Sequence, residues 1–577
     1  MKIQYSDERN VLLMIALLKA HGIRKVVASP GTTNVTFIAS ITHDSFFQVY
    51  SCVDERSAAY MACGLADESG EPVVISCTGA TASRNYFSAL TEAYYRKLPI
   101  LAITSTREEC KIGHLIDQQI DRTQQPKDTV LCSEHLQIIK DEEDWWDCTI
   151  KANRAILALR SNGGGPAHIN LPTRYTPSFN TASLPEVRKI DRLYAYDSLP
   201  ELNNRDVTIF IGTHRKMTIK EQELIDRFCE VYNSVVYCDV CSGYHGNYSL
   251  RTFAKGEELH TDVLIHIGEV SCNAYACKPK EVWRVSEDGE LRDTYRSLKY
   301  VFAMPDWVFF EKYTEGRSKQ ETMKYNVWKK KEDAIYSNLK DVPFSNGWIA
   351  NYLHDKIPDG SAVHLGIVST FFVWNKLRNK DSIDFACNQG GFGIDGAMST
   401  LLGQSLVNPQ RLYFCCLGDL AFFYDMNVLG NRHFGKNIRI LLVNNGRGVI
   451  FRKPGNFASM LGENADEFVC AAGHFGKMSP TIVRDYATNL GFQYLTASSK
   501  EEFIEQSKLF LNPQITESPI LFEVFTNVKG EIQGDYIAPS TGWKSHVKDV
   551  LGEDVFNALK TVIKGKGDMT VDVKKNK

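Results

Sequence analysis

Short apolar runs alternate with helix-patterned segments along most of this 577-residue chain, in three successive blocks. This alternation is typical of βαβ units, in which a parallel sheet is covered by helices on both faces. A chain of this length also needs more than one core. We therefore predict an α/β fold of three doubly wound parallel-sheet domains. The runs that we interpret as strands are Lys25–Ala28, Pro72–Cys77, Pro99–Thr104, Ala167–Leu171, Asp206–Gly212, Ser234–Asp239, Asp262–Gly268, Ala362–Leu365, Asp384–Cys387, Arg411–Leu417, Arg439–Asn444 and Ile520–Val524.

Polar and charged stretches between these blocks suggest the domain boundaries. The segment from Pro177 to Asp191 is polar and contains proline, as linkers do. The stretch Glu311–Asp333 is rich in Lys and Glu and is interpreted as a connecting helix. We predict domains at 1–180, 190–335 and 345–563, followed by a Lys-rich solvated tail at 564–577.

Composition excludes several classes of protein. The formal net charge is −3, which is unlike the basic surface of a nucleic-acid binder. The fifteen cysteines are scattered and mostly single, which indicates core thiols in a reducing compartment and no structural zinc. The first ten residues lack the basic region of a signal peptide, and no apolar run reaches the ~20 residues of a membrane span. We expect a cytoplasmic protein without nucleic-acid or membrane partners.

Two strand ends in the third block carry side chains suited to a metal ion. Asp419 follows one apolar run, and Asn444 and Asn445 end the next, 445 − 419 = 26 positions later. Because neighbouring parallel strands end at the same edge of a sheet, where ligands of such sheets bind, we expect these residues to meet. Carboxylate, amide and backbone carbonyl oxygens suit Mg²⁺ carrying phosphates. A helix from Ala421 onward would also present N–H groups to a phosphate.

Each half of this pattern also has a plain structural interpretation. Asp419 would cap the following helix, the Asn pair would form a turn, and Arg447 would point to solvent. A lone carboxylate at the end of a buried strand is costly unless it is paired or binds a metal. The two halves together therefore favour a ligand site.

A second informative segment is Asp54–Ala66, in which Glu55 precedes a helix of small residues. Small residues allow close packing, which suggests a buried carboxylate held rigidly at position 55. The plain alternative is an acidic residue favoured by the dipole at the helix N-terminus.

These segments together resemble the thiamine-diphosphate-dependent enzymes, and the resemblance extends over nearly the whole chain. The family's order of pyrimidine-binding, middle and diphosphate-binding domains fits the three blocks. Within the family, the sequence is most similar to the menaquinone-pathway carboligases. The stretches it shares with them are Ser29–Gly31, Asp54–Ala66, Thr78–Thr104 with Arg107, Gln118, Gly393–Thr400 and Gly418–Asn427.

The resemblance implies thiamine diphosphate and Mg²⁺, or Mn²⁺, as cofactors. In it, Asp419 and Asn445 are side-chain metal ligands, Arg447 supplies a backbone carbonyl, and Leu420 replaces the commoner third glycine of the motif. The family binds the cofactor between two subunits, which implies a homodimer or homotetramer. The residues placed against the cofactor are Ser29, Pro30, Gly31, Glu55, Gly393, Ile394, Gly418, Asp419, Leu420, Ala421 and Asn445.

The resemblance also assigns two catalytic roles. Glu55 matches the glutamate that hydrogen-bonds the aminopyrimidine ring and promotes loss of the C2 proton, after which the cofactor attacks a 2-oxo acid and acts as an electron sink. A buried site would raise the pKa of Glu55. Ile394 matches the bulky residue that bends the cofactor, and its glycine-rich surroundings favour this over an ordinary core role.

The sequence departs from the carboligases where they carry substrate-binding arginines. Thr32-Thr33 follows Ser29–Gly31, Gln389 stands in the Asn-Arg-Gly element, and 368–372 contains no Arg. Arg is suited to such sites because its planar fork binds carboxylates bidentately. We therefore predict a substrate other than 2-oxoglutarate with isochorismate.

The remaining candidate substrate contacts are polar. Arg107 and Gln118 are retained from the carboligase pattern. His114 lies between them and is either a general acid or base or a structural residue. The full set of candidates is Thr32, Thr33, Arg107, His114, Gln118 and Gln389.

The predicted reaction is decarboxylation of a small-molecule 2-oxo acid with transfer of the acyl unit to a carbon acceptor. Three alternatives stay open: a plain 2-oxo-acid decarboxylase, a menaquinone-pathway synthase with relocated arginines, and a non-catalytic protein with the cofactor fold. The decarboxylases commonly carry an adjacent His pair in the first block, which this sequence lacks.

Overall fold

A computed structural model describes residues 4–122, 124–251, 259–272, 277–474, 478–535 and 537. The predicted tail at 564–577 and the end of the third predicted domain lie outside this range. The chain divides into two compact units, residues 1–199 with 282–304 and residues 200–281 with 305–577. Within the described ranges, no helix has the length and apolar character needed to cross a membrane.

The first sheet has six strands in the order β2-β1-β3-β4-β6-β5, all paired in parallel. Its strands are β1 (Lys25–Ala28), β2 (Gln48–Ser51), β3 (Val73–Thr78), β4 (Ile100–Thr106), β5 (Cys132–His135) and β6 (Ala167–Pro172). The helices are α1 (Arg9–Ala20), α2 (Val35–Thr42), α3 (Glu55–Ser69), α4 (Thr81–Asn85), α5 (Phe87–Arg96) and α6 (Glu142–Ala158).

Helices cover both faces of this sheet. On one face α1 and α6 enclose a core of large aliphatic residues, which includes Leu13, Leu17 and Ile103. On the other face α3 contributes Ala58, Ala59, Ala62, Cys63 and Ala66, so this helix packs closely. The structure confirms that the segment after Asp54 is a small-residue helix.

The second sheet has seven strands in the order β10-β9-β8-β11-β12-β13-β7. Its strands are β7 (Asp191–Tyr194), β8 (Val207–Ile211), β9 (Val236–Cys238), β10 (Ser249–Leu250), β11 (Leu259–Ile267), β12 (Cys277–Val285) and β13 (Leu298–Ala303). The helices of this region are α7 (Ile219–Tyr232), α8 (Asp306–Thr314) and α9 (Met323–Ser337).

The predicted connecting helix at Glu311–Asp333 is wrong as a single element. Residues 315–322 are not helical and separate α8 from α9. Gly316 in this break has φ +68°, a conformation that glycine adopts without strain. Charge composition alone does not mark such a break.

The third sheet has the order β15-β14-β16-β17-β19-β18, again entirely parallel. Its strands are β14 (Ala362–Leu365), β15 (Asp384–Cys387), β16 (Tyr413–Gly418), β17 (Ile438–Asn444), β18 (Gln493–Ala497) and β19 (Ile520–Phe525). Its helices are α10 (Asn346–Leu353), α11 (Ser369–Trp374), α12 (Ala397–Val407), α13 (Asp419–Asp425), α14 (Ile482–Asn489), α15 (Lys500–Phe510) and α16 (Val528–Gly534). The predicted α/β class with three parallel sheets is confirmed.

All fifteen cysteines are free thiols, and ten of them are buried. Burial raises the pKa of thiols such as Cys77 and Cys416 to about 12, because the thiolate is poorly solvated there. The prediction that the cysteines are core residues, not a disulfide framework, is confirmed.

Arg439→Met is expected to lower the free energy of unfolding of this region by about 2–4 kcal/mol. Arg439 on β17 is fully buried, and its Nη1 and Nη2 atoms donate to the carbonyls of Phe510 and Gln514 at 2.6 and 2.7 Å. Met matches much of the volume but leaves both carbonyls unpaired. Urea unfolding monitored by tryptophan fluorescence measures the change, and an unaltered midpoint would contradict it.

Candidate active site

Asp419 and Asn445 lie together at the carboxyl edge of the third sheet. β16 and β17 run in parallel register with Gly418 opposite Val443, so both strands end at one level. α13 begins at Asp419 with Gly418 as its N-cap. The helix expected from Ala421 therefore starts two residues earlier, and Asp419 is its first residue and not its cap.

The Asp419 carboxylate organises the loop after β17. Its Oδ2 atom accepts from the backbone N–H groups of Asn445, Gly446 and Arg447 at 3.0, 2.5 and 3.1 Å. Its Oδ1 atom accepts from Leu420 N at 2.7 Å. Burial nevertheless raises the pKa of Asp419 to about 6, because these backbone bonds only partly replace the water that it loses.

The two adjacent asparagines have different roles. Asn444 Nδ2 donates to Glu523 Oε1 at 2.8 Å, and Tyr494 donates to the other oxygen of that carboxylate. Asn445 is also buried, but its Oδ1 has no hydrogen-bond partner among the described residues. A buried amide oxygen without a partner is costly, and here it lies beside the Asp419 loop. These two oxygen donors fit a divalent cation.

A cation at this edge of the third sheet would be held by oxygens of different kinds, namely a carboxylate, an amide and a backbone carbonyl. Nowhere in the described part of the chain do three His, Cys, Asp or Glu side chains converge as a metal cluster. The Arg447 carbonyl accepts from Val449 N at 2.9 Å and keeps a second lone pair. The Arg447 side chain does not point freely to solvent, because Nη1 donates to Asp466 at 2.5 Å.

The glycine-rich loop that follows β15 belongs to the same domain as Asp419 and Asn445. Ile394 is half-buried and packs against the core of the third sheet, while Gly390, Gly391 and Phe392 are exposed. Asp425, at the end of α13, accepts from the Ser399 backbone at 2.7 Å and so holds the start of α12.

Gln389 does not lie on an open surface of the subunit. It is buried, and its Nε2 donates to Asp239 Oδ1 at 3.4 Å. Asp239, after β9, also accepts from Cys241 N and Ser271 Oγ, both at 2.8 Å. The side chain expected on the substrate side is therefore held by a buried acid that the sequence analysis did not single out.

Asp239→Asn is expected to stabilise the protein increasingly as the pH rises above about 4, the ordinary pKa of Asp. Burial raises the pKa of Asp239, so the folded state binds the proton more tightly than the unfolded state. The protonated Asp239 carboxyl therefore contributes its full stabilisation below pH 4. This stabilisation is lost as the pH rises through the pKa of Asp239 in the folded state. Melting temperatures of both proteins between pH 4 and 8 measure this, and a constant difference would contradict it.

Glu55 lies at the start of α3, at the carboxyl edge of the first sheet. The Asp54 side chain accepts from Ser57 N at 2.7 Å and is the N-cap of this helix. Glu55 itself is only half-buried in the single subunit. The deep burial that we expected for this carboxylate is not provided by this chain alone.

The turn after β1 is tightly packed. A Cβ atom at Gly31 would lie 2.7 Å from Thr78 Cβ, and Asn34 donates to the Ser29 carbonyl at 3.0 Å. Thr33 is buried, and its hydroxyl donates to the Ser105 carbonyl at 2.9 Å and accepts from Gly79 N at 3.3 Å. The Thr33 hydroxyl is thus engaged within the first domain, whereas Thr32 is exposed.

The remaining predicted substrate contacts lie in the loop after β4. Arg107 donates to Asp117 at 2.8 Å and to the Tyr175 hydroxyl at 3.1 Å. His114 and Gln118 are exposed, and Gln118 has φ +56°.

Comparison with known proteins shows the family of the chain. Residues 11–125 match the model of the thiamine pyrophosphate enzyme N-terminal TPP-binding domain. The 2-succinyl-5-enolpyruvyl-6-hydroxy-3-cyclohexene-1-carboxylate synthases of Bacteroides fragilis and Bacteroides thetaiotaomicron are 32% and 33% identical to this chain, over 91% of its length and 97% of theirs. The Flavobacterium psychrophilum synthase is 27% identical over 89% of this chain and 96% of its own length.

The fold, the first-domain match and these relatives define a thiamine-diphosphate-dependent enzyme. Within that class, the chain belongs to the family of the 2-succinyl-5-enolpyruvyl-6-hydroxy-3-cyclohexene-1-carboxylate synthases. The family resemblance predicted from the sequence is confirmed.

Proposed function

We propose that this protein uses thiamine diphosphate and Mg²⁺ to remove CO2 from a 2-oxo acid and to transfer the acyl unit to a carbon acceptor. The observation that carries the proposal is the buried Asn445 Oδ1, which has no partner in the described ranges, on a residue whose backbone N–H donates to the Asp419 carboxylate. In a chain of this family, these oxygens are suited to the cation that accompanies a diphosphate.

The residues that would bind the cofactor lie at the carboxyl edges of the first and the third sheet. Asp419 and Asn445, with the Arg447 carbonyl, would hold the cation, and Mn²⁺ would fit the same oxygens. The backbone groups of Gly418 to Ala421 would face the diphosphate. Ser29–Gly31, Glu55, Gly393 and Ile394 would contact the rings. When bound, thiamine diphosphate supplies a carbon nucleophile and an electron sink.

Glu55 would share a proton with the ring nitrogen that it hydrogen-bonds. This role needs a rigid carboxylate, which the capped start of α3 provides. It also needs exclusion of water, which the half-buried position in one subunit does not provide. A second subunit would complete the enclosure.

We propose a homodimer, or a homotetramer built from it. Apolar side chains close in sequence to Glu55 and Arg447 are exposed in the single chain, including Val53 at 78%, Phe457 at 88% and Phe468 at 86%. Exposed apolar groups of this size mark interaction surfaces. Sedimentation equilibrium with and without cofactor tests this, and a monomer under both conditions would overturn it.

We propose that the substrate differs from that of the named synthases. Positions 32, 33 and 389 lack arginine, and the Gln389 side chain is directed to Asp239. Thr32, Arg107, His114 and Gln118 remain as polar groups for a substrate. The second candidate, turnover of the synthases' own substrates, is supported by 32–33% identity over most of the chain.

The deciding experiment measures CO2 release from a panel of 2-oxo acids, each with thiamine diphosphate and Mg²⁺, followed by product analysis with added aldehydes. Formation of a ligated hydroxyketone supports the carboligase. Free aldehyde alone would instead identify a plain decarboxylase. Turnover of 2-oxoglutarate with isochorismate would identify synthase activity, and no CO2 release from any acid would reject all three.

A further inference from the structure

Arg122 lies buried at the carboxyl edge of the first sheet and is not fully paired. Its side chain is 2% exposed, and Nη2 donates to Asn170 Oδ1 at 2.5 Å. Among the described residues, neither Nε nor Nη1 has a hydrogen-bond partner. Arginine is almost never buried without compensation, so the unpaired donors of this guanidinium point to a group that they bind.

The surroundings of Arg122 add a second cation, and no carboxylate of the described residues forms an ion pair with it. Arg84 on α4 faces it and donates to the Asp121 backbone carbonyl at 2.9 Å. Burial and these two cations lower the pKa of nearby His168 to about 3, which keeps that imidazole neutral. Within the described ranges no carboxylate forms an ion pair with Arg122 or Arg84. The local field therefore favours an anion.

The backbone leaves room for this guanidinium. Gly79 follows β3, and a Cβ atom there would lie 3.3 Å from the Arg122 guanidinium carbon and 2.9 Å from the Ser105 carbonyl oxygen. A larger residue would displace the arginine. Glycine at 79 thus permits the close approach of Arg122 to the strand ends.

The free atoms of Arg122 form a usable fork. Nη2 has two hydrogens, and Asn170 accepts one of them. The other hydrogen lies beside either Nε–H or an Nη1–H, and the described part of the chain provides no acceptor for either group. One edge of the guanidinium therefore carries two unpaired donors, which is the geometry that binds a carboxylate bidentately.

We propose that Arg122 binds a substrate carboxylate that the reaction retains. It would replace the arginines that are expected at 32–33, 368–372 and 389 and are absent there. The inference rests on the proposed function, since it takes the substrate to be a carboxylic acid. A retained group is specified because an arginine on the departing carboxylate would stabilise the ground state and slow CO2 loss.

The test compares Arg122→Gln and Arg122→Lys with the wild-type full chain and with Arg439→Gln as a matched buried-arginine control. Isothermal titration first measures thiamine diphosphate binding with Mg²⁺. It then measures two unreactive pairs, glutarate against glutaramide and benzoate against benzamide. The first pair represents a carboxylate on an aliphatic 2-oxo acid, and the second represents one on a cyclic acceptor.

Arg122→Gln should weaken binding of the carboxylate of at least one pair by about 10- to 100-fold and leave its amide unchanged. Arg122→Lys should lie between, because it keeps charge without the fork, and Arg439→Gln should bind as wild type. Arg122→Gln should also melt no lower than wild type, since it removes an uncompensated charge, whereas Arg439→Gln should melt lower.

The outcomes separate this inference from the proposed function. Absent cofactor binding in wild type would reject the proposed function, while the carboxylate titrations still report on Arg122. Equal carboxylate binding by Arg122→Gln and wild type would overturn the inference. So would a wild type that binds neither carboxylate, or an Arg122→Gln chain that does not fold.

Discussion

Glu55→Gln is expected to lower the rate of CO2 release from the preferred 2-oxo acid by about 10²- to 10⁴-fold. Glutamine keeps the size and a hydrogen-bonding oxygen of Glu55 but cannot exchange a proton with the ring nitrogen. Thiamine diphosphate affinity should change little, because the diphosphate and cation would be held by the other domain. Initial rates of CO2 release, with cofactor affinity from isothermal titration, measure both effects.

Asp54→Asn is the matched control for this substitution. Asp54 is the adjacent acid, and Asn is an equally good N-cap for the Ser57 N–H. The control should retain both the rate and the melting temperature. Full activity of Glu55→Gln would show that the reaction does not use this carboxylate, and loss of both activities would indicate damage to α3.

Asn445→Ala is expected to weaken Mg²⁺-dependent thiamine diphosphate binding by more than about 100-fold. Loss of groups that only support metal ligands already costs ~10- to 100-fold, and a direct ligand should cost more. Melting of the metal-free protein should not decrease, because the buried Asn445 Oδ1 has no described partner to lose. Titrations at several Mg²⁺ concentrations and thermal unfolding measure these two quantities.

Asn444→Ala should show the opposite pattern. Asn444 donates to the buried Glu523 carboxylate and accepts from Gly446 N at 3.2 Å. Its removal should cost about 1–3 kcal/mol of stability, with a smaller effect on metal dependence. If Asn445→Ala bound cofactor normally, or if both variants lost stability equally, the proposed cation site would be wrong.

Much of the fold was predictable because its signals are local. Apolar runs at Lys25–Ala28, Ala362–Leu365 and Asp384–Cys387 coincide with β1, β14 and β15 to the residue. β1 and β14 are largely buried between helices and mostly apolar, whereas β15 is a half-buried edge strand that still contains the apolar run Phe385-Ala386-Cys387. The missed strands β2 and β5 also lie at sheet edges. β2 is mostly exposed, and β5 consists largely of Ser133, Glu134 and His135, so neither forms an apolar run.

The candidate site was predicted in part. The Gly-Asp and Asn-Asn signals lie at the ends of adjacent strands, and their meeting follows from the geometry of parallel sheets. The buried partners Asp239, Glu523 and Arg122 carry no comparable local signal. Each was identified only through contacts with residues far away in the chain, namely Gln389, Asn444 and Asn170.

The amino-acid sequence alone was sufficient to identify the α/β class, the family and the two segments that carry the resemblance. These signals are apolar runs and short motifs, which are set by residues close to one another in the chain. Only the folded chain shows that Asn444 is engaged by Glu523. Only the folded chain also shows that Asn445 Oδ1 and two donor atoms of the buried Arg122 have no partner among the residues that the structure describes. Hydrogen bonding and burial depend on which distant segments meet, and a one-dimensional pattern does not contain that information.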